Sequence, residues 1–374
     1  MRLGLVVYGS LDQLSGGYLY DRQVMQALRL RGHEVRLISL PDSGYARNLL
    51  SNLSARSDGE LVDPALDVLL QDELCHPSLV GANHRLRRAG FSGRIVALLH
   101  HPLSAEPRAG WANFLYRMVE RAYFETVDAV LCTSHATRAA LNGLVRPDMP
   151  CLVAQPGRDH LQGELDEDQI SRRAQEPGPL QILFLGNLIP RKGLGSLLQA
   201  LTRLPPEGWS LTVAGSEDLA PGFARRLRRQ AERLGLNGRL RWLGPLSQAE
   251  LEQLLPSMHL LAVPSRHEGF GIAYLEGMAY GLPSLASASG GARDLVREGE
   301  NGYLISPGDV ATLARRIQEF IDDRRRLAEV GKAARRTWAA HPTWNETAAA
   351  IEAYLTNSPA DPAEAAANPE EVTP

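Results

Sequence analysis

The sequence predicts an α/β protein made of two Rossmann-like domains, and three observations lead to this prediction. Short apolar segments alternate with longer amphipathic segments from the first residues onward, as in β-α units that build a parallel sheet. The alternation stops in a polar, acidic and then Pro/Gly-rich segment, 163–178, and restarts directly after it. Such a segment is typical of a linker between two similar halves. The length of 374 residues also favours two domains over one.

The predicted strands are short and almost entirely apolar, which is typical of parallel sheets that are covered on both faces. In the first half we expect strands over 3–8, 35–40, 67–70, 95–99, 129–132 and 151–154. In the second half we expect strands over 181–185, 211–214, 240–243, 260–263, 284–286 and 303–305.

These segments give the expected domain boundaries. We predict an N-terminal domain over 1–160, a linker over 161–178 and a C-terminal domain over 179–340. The last residues, 357–374, are rich in Pro, Ala and Glu and contain almost no side chain able to enter a core. We therefore expect a disordered tail there.

Composition and charge exclude several classes of protein. With 43 acidic and 40 basic residues, the formal charge of −3 lacks the cationic excess of nucleic-acid-binding domains. Cys75, Cys132 and Cys151 have no metal-binding spacing and are expected to be reduced, buried thiols. No apolar run is long enough to span a bilayer, and the N-terminus does not have the pattern of a signal peptide. We therefore expect a cytoplasmic protein.

The first candidate for function is a pair of glycines after the first strand. In open parallel sheets, ligands bind beyond the carboxyl ends of the strands. Gly16 and Gly17 follow Ser15 and precede an amphipathic helix. Paired glycines at a helix N-terminus let backbone N–H groups approach an anion, whose charge the helix dipole favours. A plain helix start is the alternative interpretation.

The second candidate is a basic loop, Gly186 to Gly193, after the first strand of the second half. The periodic leucines of the next helix place Arg191 and Lys192 just before its first turn. Two cations beside exposed backbone donors could hold a diphosphate. The alternative is a solvated basic turn, but Lys192 is one of only two lysines in the chain, which favours a function.

The third candidate is the Gly-rich loop that contains Glu268, together with the helix after it. On that helix Glu276 falls among apolar positions. A buried carboxylate is costly unless hydrogen-bond donors pair with it, and a ribose or hexose would supply such donors. The alternative is a carboxylate satisfied by neighbouring backbone, with Glu268 as an N-terminal capping acid.

The fourth candidate is His100, followed by His101, at the end of the strand RIVALL. A histidine at this edge of the sheet can donate a hydrogen bond to a substrate at neutral pH. A structural loop histidine is the alternative.

Together these segments resemble the retaining GT-B glycosyltransferases of family 4, and Glu268 and Glu276 match the E-x7-E signature of that family. The resemblance is strongest over 180–309. It includes EGFGIAYLEGMAYGLPSLAS, the Ser289-Gly290-Gly291 triplet, Asn301-Gly302-Tyr303-Leu304 and Pro307-Gly308-Asp309, with Arg31-Gly32-His33-Glu34-Val35 and Pro156-Gly157 in the first half. The resemblance implies a GT-B fold, with the two parallel sheets facing across a cleft. It also implies that the helix over 341–356 crosses back to the N-terminal domain.

Roles follow by position from the resemblance. Lys192 would bind the donor diphosphate, with Arg191 close by and the Gly16–Gly17 pair approaching from the other domain. Glu276 would bind the nucleotide ribose. The transferred sugar would contact Glu268, His100 (His101 if the alignment is shifted by one), and three backbone N–H groups, those of Gly269, Phe270 and Gly271.

The resemblance also implies the reaction. A hexose would pass from a UDP- or GDP-sugar to a hydroxyl acceptor, a sugar, a lipid or a small molecule, with retention of the anomeric configuration. Glu268 would orient and stabilise charge, and no metal would be required, because cations and helix N-termini balance the diphosphate. A noncatalytic sugar-nucleotide-binding protein on the same fold is the alternative. An oxidoreductase is disfavoured because no G-x-G-x-x-G follows the first strand.

Three positions depart from the family pattern. Asn187 stands where Arg is frequent, Asp294 where Glu is usual, and His259 where Asp is common. These departures leave the donor affinity open.

Peripheral contact with the inner membrane face is a further alternative. The relevant residues are a basic cluster, His84, Arg85, Arg87 and Arg88, and an apolar helical stripe, Trp111, Phe114, Leu115 and Met118. A solvated face and an ordinary core helix are the simpler interpretations.

Overall fold

The structure is a computed structural model that describes residues 1–13, 15–52, 63–106, 110–162 and 165–356. Within these residues the strands form two six-stranded sheets, and every strand pair is parallel. The predicted α/β class with two Rossmann-like domains is therefore confirmed. The tail predicted over 357–374 lies outside the described residues.

The N-terminal sheet has the strand order β2-β1-β3-β4-β5-β6. Its strands are β1 Arg2–Tyr8, β2 Glu34–Leu40, β3 Val68–Asp72, β4 Arg94–Leu99, β5 Ala129–Cys132 and β6 Cys151–Val153. The helices described in this domain are α1 Gly16–Leu30, α2 Tyr45–Ser51, α3 His76–Arg88, α4 Gly110–Phe124 and α5 His135–Ala140.

The C-terminal sheet has the strand order β12-β11-β10-β7-β8-β9. Its strands are β7 Leu180–Leu185, β8 Trp209–Ala214, β9 Leu240–Gly244, β10 Leu260–Ala262, β11 Ser284–Ser287 and β12 Gly302–Ile305. The helices of this half are α6 Glu167–Gln175, α7 Leu194–Leu201, α8 Pro221–Arg233, α9 Gln248–Leu254, α10 Ile272–Ala279, α11 Val310–Asp322, α12 Arg324–Ala340 and α13 Trp344–Thr356. All twelve predicted strands are present, with ends within two residues of the predicted ones.

The segment predicted as a linker, 161–178, contains the helix α6. Asp166 and Gln169 form a reciprocal capping box at its start. Arg173 on this helix is buried and donates hydrogen bonds to the carbonyls of Tyr280 and Gly281. The polar residues that suggested a linker are thus a helix cap and an outward helix face, and α6 packs on the C-terminal domain.

Helix α13 returns to the N-terminal domain and packs against α1. Glu352 on α13 forms ion pairs with Arg31 at 2.5 Å and with His33 at 2.8 Å. Trp344 at the start of α13 is buried against the ring of Tyr20, with ring centroids 5.5 Å apart. These contacts join α13 to the N-terminal domain.

All three cysteines are free. Cys75 and Cys132 are buried and Cys151 is partly buried, as the sequence predicts for reduced thiols. Among the described residues, no helix is both long and apolar enough to cross a membrane.

Candidate active site

Each sheet contains a point at which the order of its strands reverses direction. β1 lies between β2 and β3, and β7 lies between β8 and β10. Ligands of open parallel sheets bind at such reversals, beyond the carboxyl ends of the strands. The predicted site segments follow β1 and β4 in one domain and β7 and β10 in the other, so the topology brings them to the same cleft.

The contact between the domains at this cleft is close. Gly269 lies against the backbone of His100, and a Cβ atom on Gly269 would stand only 2.3 Å from the His100 carbonyl oxygen. The hydroxyl of Ser134, at the start of α5, donates to the Gly269 carbonyl at 2.6 Å. The candidate residues of both domains are therefore neighbours, and glycine is required where they touch.

Helix α1 begins at the cleft with free backbone donors. The side chain of Ser15 caps the helix by accepting from the N–H of Tyr18 at 3.3 Å. Within the described residues, the N–H groups of Gly16 and Gly17 have no acceptor. A Cβ at Gly17 would lie 3.2 Å from the imidazole of His100, so Gly17 packs directly against that ring, while Gly16 lies near Ile272 of the other domain.

The basic loop after β7 is fixed by one glycine. Gly193 has a φ of 76°, and a Cβ there would lie 2.0 Å from the carbonyl oxygen of Pro264, so any larger residue would separate the loops after β7 and β10. Arg191 bridges the same two loops, since its guanidinium donates to the carbonyl of His267 at 2.8 Å. The two loops thus hold each other in register.

Lys192 and Glu268 form a buried ion pair at the floor of the cleft. The Lys192 ammonium lies 2.7 Å from Glu268 Oε1, and the Ser265 hydroxyl donates to the same oxygen. Arg191 stands 3.6 Å from the other carboxylate oxygen. Glu268 is only 5% exposed, and a carboxylate is tolerated at that depth because two cations and a hydroxyl surround it.

The electrostatics of this pair follow from burial and charge together. Burial alone would raise the pKa of Glu268, but Lys192 and Arg191 outweigh it and lower that pKa to about 2. Burial lowers the pKa of Lys192, against the opposing effect of Glu268. Arg191 and Lys192 both approach Glu268, and Arg191 also lies 3.8 Å from Glu106. The carboxylates hold the two cations side by side, an arrangement that suits an anionic ligand.

Helix α10 also begins at the cleft with free donors. Its N-cap, Gly271, has a φ of 97°. Within the described part of the chain, the N–H groups of Gly269, Phe270 and Gly271 have no acceptor. Phe270 is itself buried against His341, with ring centroids 5.6 Å apart, so its backbone rather than its side chain is available to a ligand.

Glu276 on α10 already has one protein partner. His160 Nε2 lies 2.9 Å from Glu276 Oε1, and the His160 side chain is almost fully buried. The other oxygen, Oε2, has no partner among the described residues. Sequence reasoning missed His160, because nothing in its local pattern marks it. Its position in the domain junction, three residues after Gly157, is the only available signal.

His100 contacts a buried acidic cluster as well as Gly17. Its Nε2 lies 3.1 Å from Asp21 Oδ1 on α1, and its backbone N–H donates to Glu73 at 3.1 Å. A carboxylate oxygen of Asp72, the last residue of β3, lies within 4.8 Å of Asp21 and of the His100 ring. Sequence reasoning missed all three acids, although Asp72 and Glu73 stand at a strand end, where site residues are expected.

His101, the alternative to His100, lies at the rim of the cleft. Its Nε2 is 3.0 Å from Glu106 Oε1, and burial lowers its pKa. Arg191 approaches the same carboxylate oxygen at 3.8 Å. His101 therefore links the N-terminal domain to the basic loop.

The departures from the family pattern have structural roles. Asp294 accepts hydrogen bonds from the backbone of His135 at 2.6 Å and from Gln155 at 3.3 Å, so it joins the two domains. His259 is buried and accepts from the backbone of Gln181 at 3.0 Å. The side-chain oxygen of Asn187 accepts from the backbone of Ser216.

The apolar stripe on α4 lies on the surface. Trp111 is 73% exposed and Phe114 is 62% exposed, and Leu115 and Met118 are exposed to a similar degree. The interpretation of this stripe as an ordinary core-facing helix is therefore wrong. The buried face of α4 carries Glu120, Tyr123 and Phe124 instead.

Comparison with known proteins shows similarity to glycosyltransferases. Residues 166–337 match the model of the family described as "Glycosyl transferases group 1". The chain is 29% identical over 269 residues to a GDP-mannose-dependent alpha-(1-6)-phosphatidylinositol monomannoside mannosyltransferase of Mycolicibacterium smegmatis, covering 68% of this chain and 67% of that protein. It is 33% identical over 225 residues to a D-inositol 3-phosphate glycosyltransferase of Mycolicibacterium paratuberculosis, covering 58% of this chain but 47% of that protein.

Solved structures share the fold across nearly the whole chain. Sucrose-phosphate synthase from Thermosynechococcus elongatus superposes with a TM-score of 0.78 at 21% identity, covering 94% of this chain and 98% of that one. Anabaena HepE, in complex with UDP-glucose, superposes with a TM-score of 0.75 at 21% identity, covering 95% of this chain and 100% of that one. At this level of identity, the likeness shows the shared GT-B fold.

Proposed function

Since residues 166–337 match the model of the glycosyl transferases group 1 family, we propose that the chain transfers a hexose from a nucleoside-diphosphate sugar to a hydroxyl acceptor with retention. The observation that carries the proposal is the cluster of Arg191, Lys192 and Glu268, in which two cations are held side by side at the strand-order reversal of the C-terminal sheet. The donor would lie mainly on this domain.

The proposed donor site uses groups that lack partners or carry excess charge. The diphosphate would contact Lys192 and Arg191, and the free N–H groups of Gly16 and Gly17 would approach it from the other domain. The transferred hexose would lie against Gly269 and its neighbours, whose N–H groups also lack acceptors. Fixed donors of this kind stabilise the charge that develops as the sugar–phosphate bond breaks.

The ribose would bind to Glu276. One of its oxygens is held by His160 at 2.9 Å, which leaves Oε2 to accept from a ribose hydroxyl. The carboxylate is thus fixed on one side and available on the other, as a binding group for a diol should be.

Retention without a metal is supported by the surroundings of Glu268. Its Oε1 is already bound by Lys192 and Ser265, so it is better suited to orient Lys192 and balance charge than to attack the sugar. In the proposed reaction the acceptor hydroxyl attacks on the face that the diphosphate leaves, through an oxocarbenium-like species. The departing phosphate takes the acceptor proton, and the cations of the cleft stabilise it.

The nucleotide is proposed to be UDP or GDP. The structure of HepE is a complex with UDP-glucose, and the similar mannosyltransferase of Mycolicibacterium smegmatis is GDP-mannose-dependent. Thermal shift with UDP, GDP and their sugars distinguishes the two, because a ligand that binds only the folded state raises the melting temperature. Incubation of the stabilising donor with candidate acceptors, with NMR of the product, then gives the anomeric configuration.

Three outcomes of this experiment decide the proposal. An α product from an α-linked donor supports retaining transfer, and unchanged transfer in the presence of EDTA supports independence from metal. Donor binding without transfer to any acceptor would favour the noncatalytic sugar-nucleotide-binding alternative. No stabilisation by any nucleotide would contradict both.

For the acceptor, the surface of α4 supports a lipid and peripheral contact with an anionic membrane. Its exposed stripe of Trp111, Phe114, Leu115 and Met118 is flanked by two exposed arginines, Arg117 and Arg121. Exposed aromatic and basic side chains on one helix are typical of segments that lie in a membrane interface. The helix begins four residues after Glu106, which contacts Arg191 of the proposed donor site.

Flotation with vesicles tests this contact. The double variant W111S/F114S should lose binding to phosphatidylglycerol vesicles and keep transfer to a water-soluble acceptor. Leu30→Ser is the matched control, because Leu30 is 82% exposed on the same domain but lies at the end of α1. Equal flotation of all three proteins, or none of the wild type, would contradict membrane contact, and self-association removed by W111S/F114S would assign the stripe to a protein interface.

A further inference from the structure

The buried cluster behind the proposed site has an unusual balance of charge. Asp21, Asp72 and Glu73 are at most 1% exposed. Among the described residues, none of the three is paired with a lysine or an arginine, and His100 is the ion-pair partner of Asp21. Buried carboxylates require compensation by a cation or by protons. His100 is the group placed to supply the cation.

The three carboxylates of the cluster have different hydrogen-bond partners. One Glu73 oxygen accepts from the backbone N–H groups of His100 and His101, and Asp72 Oδ1 accepts from the N–H of Leu74. Asp21 Oδ1 alone meets the His100 imidazole, at 3.1 Å. The remaining oxygens, Asp21 Oδ2, Asp72 Oδ2 and Glu73 Oε1, are buried without a hydrogen-bond partner.

The proton balance agrees with this geometry. Burial would lower the pKa of His100, but Asp21, Asp72 and Glu73 outweigh it and raise that pKa to about 9. Burial and the nearby Asp21 raise the pKa of Asp72 to about 7. Burial and Asp72 also raise the pKa of Glu73. The cluster therefore holds a charged His100 at neutral pH, and its buried carboxylates take up protons at a higher pH than exposed ones do.

The His100 ring lies where its charge could act on the proposed donor diphosphate. His100 packs against Gly17 at the N-terminus of α1, where the N–H groups of Gly16 and Gly17 have no acceptor among the described residues. We propose that Asp21 is a positioning residue that keeps His100 as an imidazolium beside the Gly16–Gly17 pair, so that the N-terminal domain adds positive charge where the donor diphosphate leaves. This inference rests on the proposed function for its consequence in catalysis, but the charge of His100 can be measured without turnover.

The experiment is an NMR titration of histidine-labelled protein between pH 6 and 10, with His100→Gln used to assign the resonance. In the wild type, His100 should remain charged at pH 7.5. Asp21→Asn, which keeps the shape and removes the charge, should leave it neutral at that pH. Asp72→Asn is the matched comparison: Asp72 also raises the pKa of His100 but makes no hydrogen bond to its ring, so its amide should lower that pKa by less than Asp21→Asn does.

Kinetics then connect the charge to transfer. Asp21→Asn should lower kcat about tenfold with little change in donor KM, because the imidazolium acts mainly as the leaving group develops charge. The variant should also shift the alkaline limb of the rate profile to lower pH. The double variant D21N/H100Q should be no slower than H100Q alone, because Asp21 acts through His100.

The experiments distinguish failure of this inference from failure of the proposed function. A neutral His100 in the wild type at pH 7.5 would overturn the inference even if Asp21→Asn does not fold, and so would a His100 titration that Asp21→Asn leaves unchanged. If His100 is charged through Asp21 but the protein transfers no sugar, the proposed function fails and the assignment of Asp21 stands.

Discussion

The two domains place buried carboxylates at the same cleft but neutralise them in opposite ways. On the C-terminal side, Glu268 faces two cations, and their charge lowers its pKa to about 2 despite burial. On the N-terminal side, three carboxylates surround His100 alone, and burial raises the pKa of Asp72 to about 7. One cluster is compensated by fixed charge and the other by protons.

Because of this difference, we expect the two clusters to have different roles in the site. In the cluster of Arg191, Lys192 and Glu268 the carboxylate has a pKa of about 2 and holds two cations in place, as steady binding of a diphosphate requires. The charge around His100 depends on protons, so the contribution of the N-terminal domain should change with pH. Variants should therefore affect binding on one side and pH dependence on the other.

The largest effect is expected from breaking the fixed-charge cluster. Lys192→Ala leaves the buried Glu268 with Arg191, 3.6 Å away, as its remaining cation. It also removes the proposed diphosphate ligand. We expect kcat/KM to fall by about 10³ and stability by roughly 3 kcal/mol. Steady-state kinetics and urea unfolding measure the two losses.

Lys332→Ala is the matched control for this prediction. It is the other lysine of the chain, it lies on α12, and its contact with Glu329 at 3.5 Å is solvent-exposed. We expect its removal to change stability by less than about 1 kcal/mol. Equal losses in both variants would mean that Lys192 has no special place in the cleft.

A smaller effect is expected at Glu276, whose replacement leaves the fixed-charge cluster intact. Glu276→Ala removes the proposed ribose ligand and should raise donor KM about tenfold to a hundredfold, with a smaller change in kcat. Calorimetric titration with the donor nucleotide is the direct measurement. Unchanged affinity would show that the ribose binds elsewhere.

Stability as a function of pH compares the two clusters directly. The raised pKa of His100, about 9, gives stability that is full below the unfolded value of 6.5 and is lost as pH rises through 9. The lowered pKa of Glu268, about 2, gives stability that is present above the unfolded value of 4.5 and is lost as pH falls towards 2.

Urea unfolding over a pH series measures both slopes. Asp21→Asn should flatten the alkaline slope and leave the acid slope, and Glu268→Gln should do the reverse. If either variant changes both slopes, the two clusters are coupled and the separation of tasks is wrong.

The sequence predicted those features that depend on neighbouring residues. Apolar strands, helix periods and glycine-rich turns are local, so the strands and the loops that contain Lys192 and Glu268 could be located. The pairing of Lys192 with Glu268 joins positions 76 residues apart, and Asp21 meets His100 across 79 residues. Such contacts depend on which strand ends become neighbours, and a single sequence does not contain that information in its local pattern.

His160 is the sharpest case of a partner that only tertiary structure reveals, and it carries the smallest expected effect. It holds one oxygen of Glu276 at 2.9 Å, while its own Nδ1 is buried without a hydrogen-bond partner. Since His160 would act on the donor only through Glu276, His160→Ala should raise donor KM by a few fold and leave kcat unchanged. His160→Gln can still donate to the carboxylate and should recover most of the affinity. In the Glu276→Ala background, His160→Ala should have no further effect on KM. An additive loss in that double variant would show that His160 contacts the donor itself, and the binding surface for the nucleotide would then extend into the domain junction.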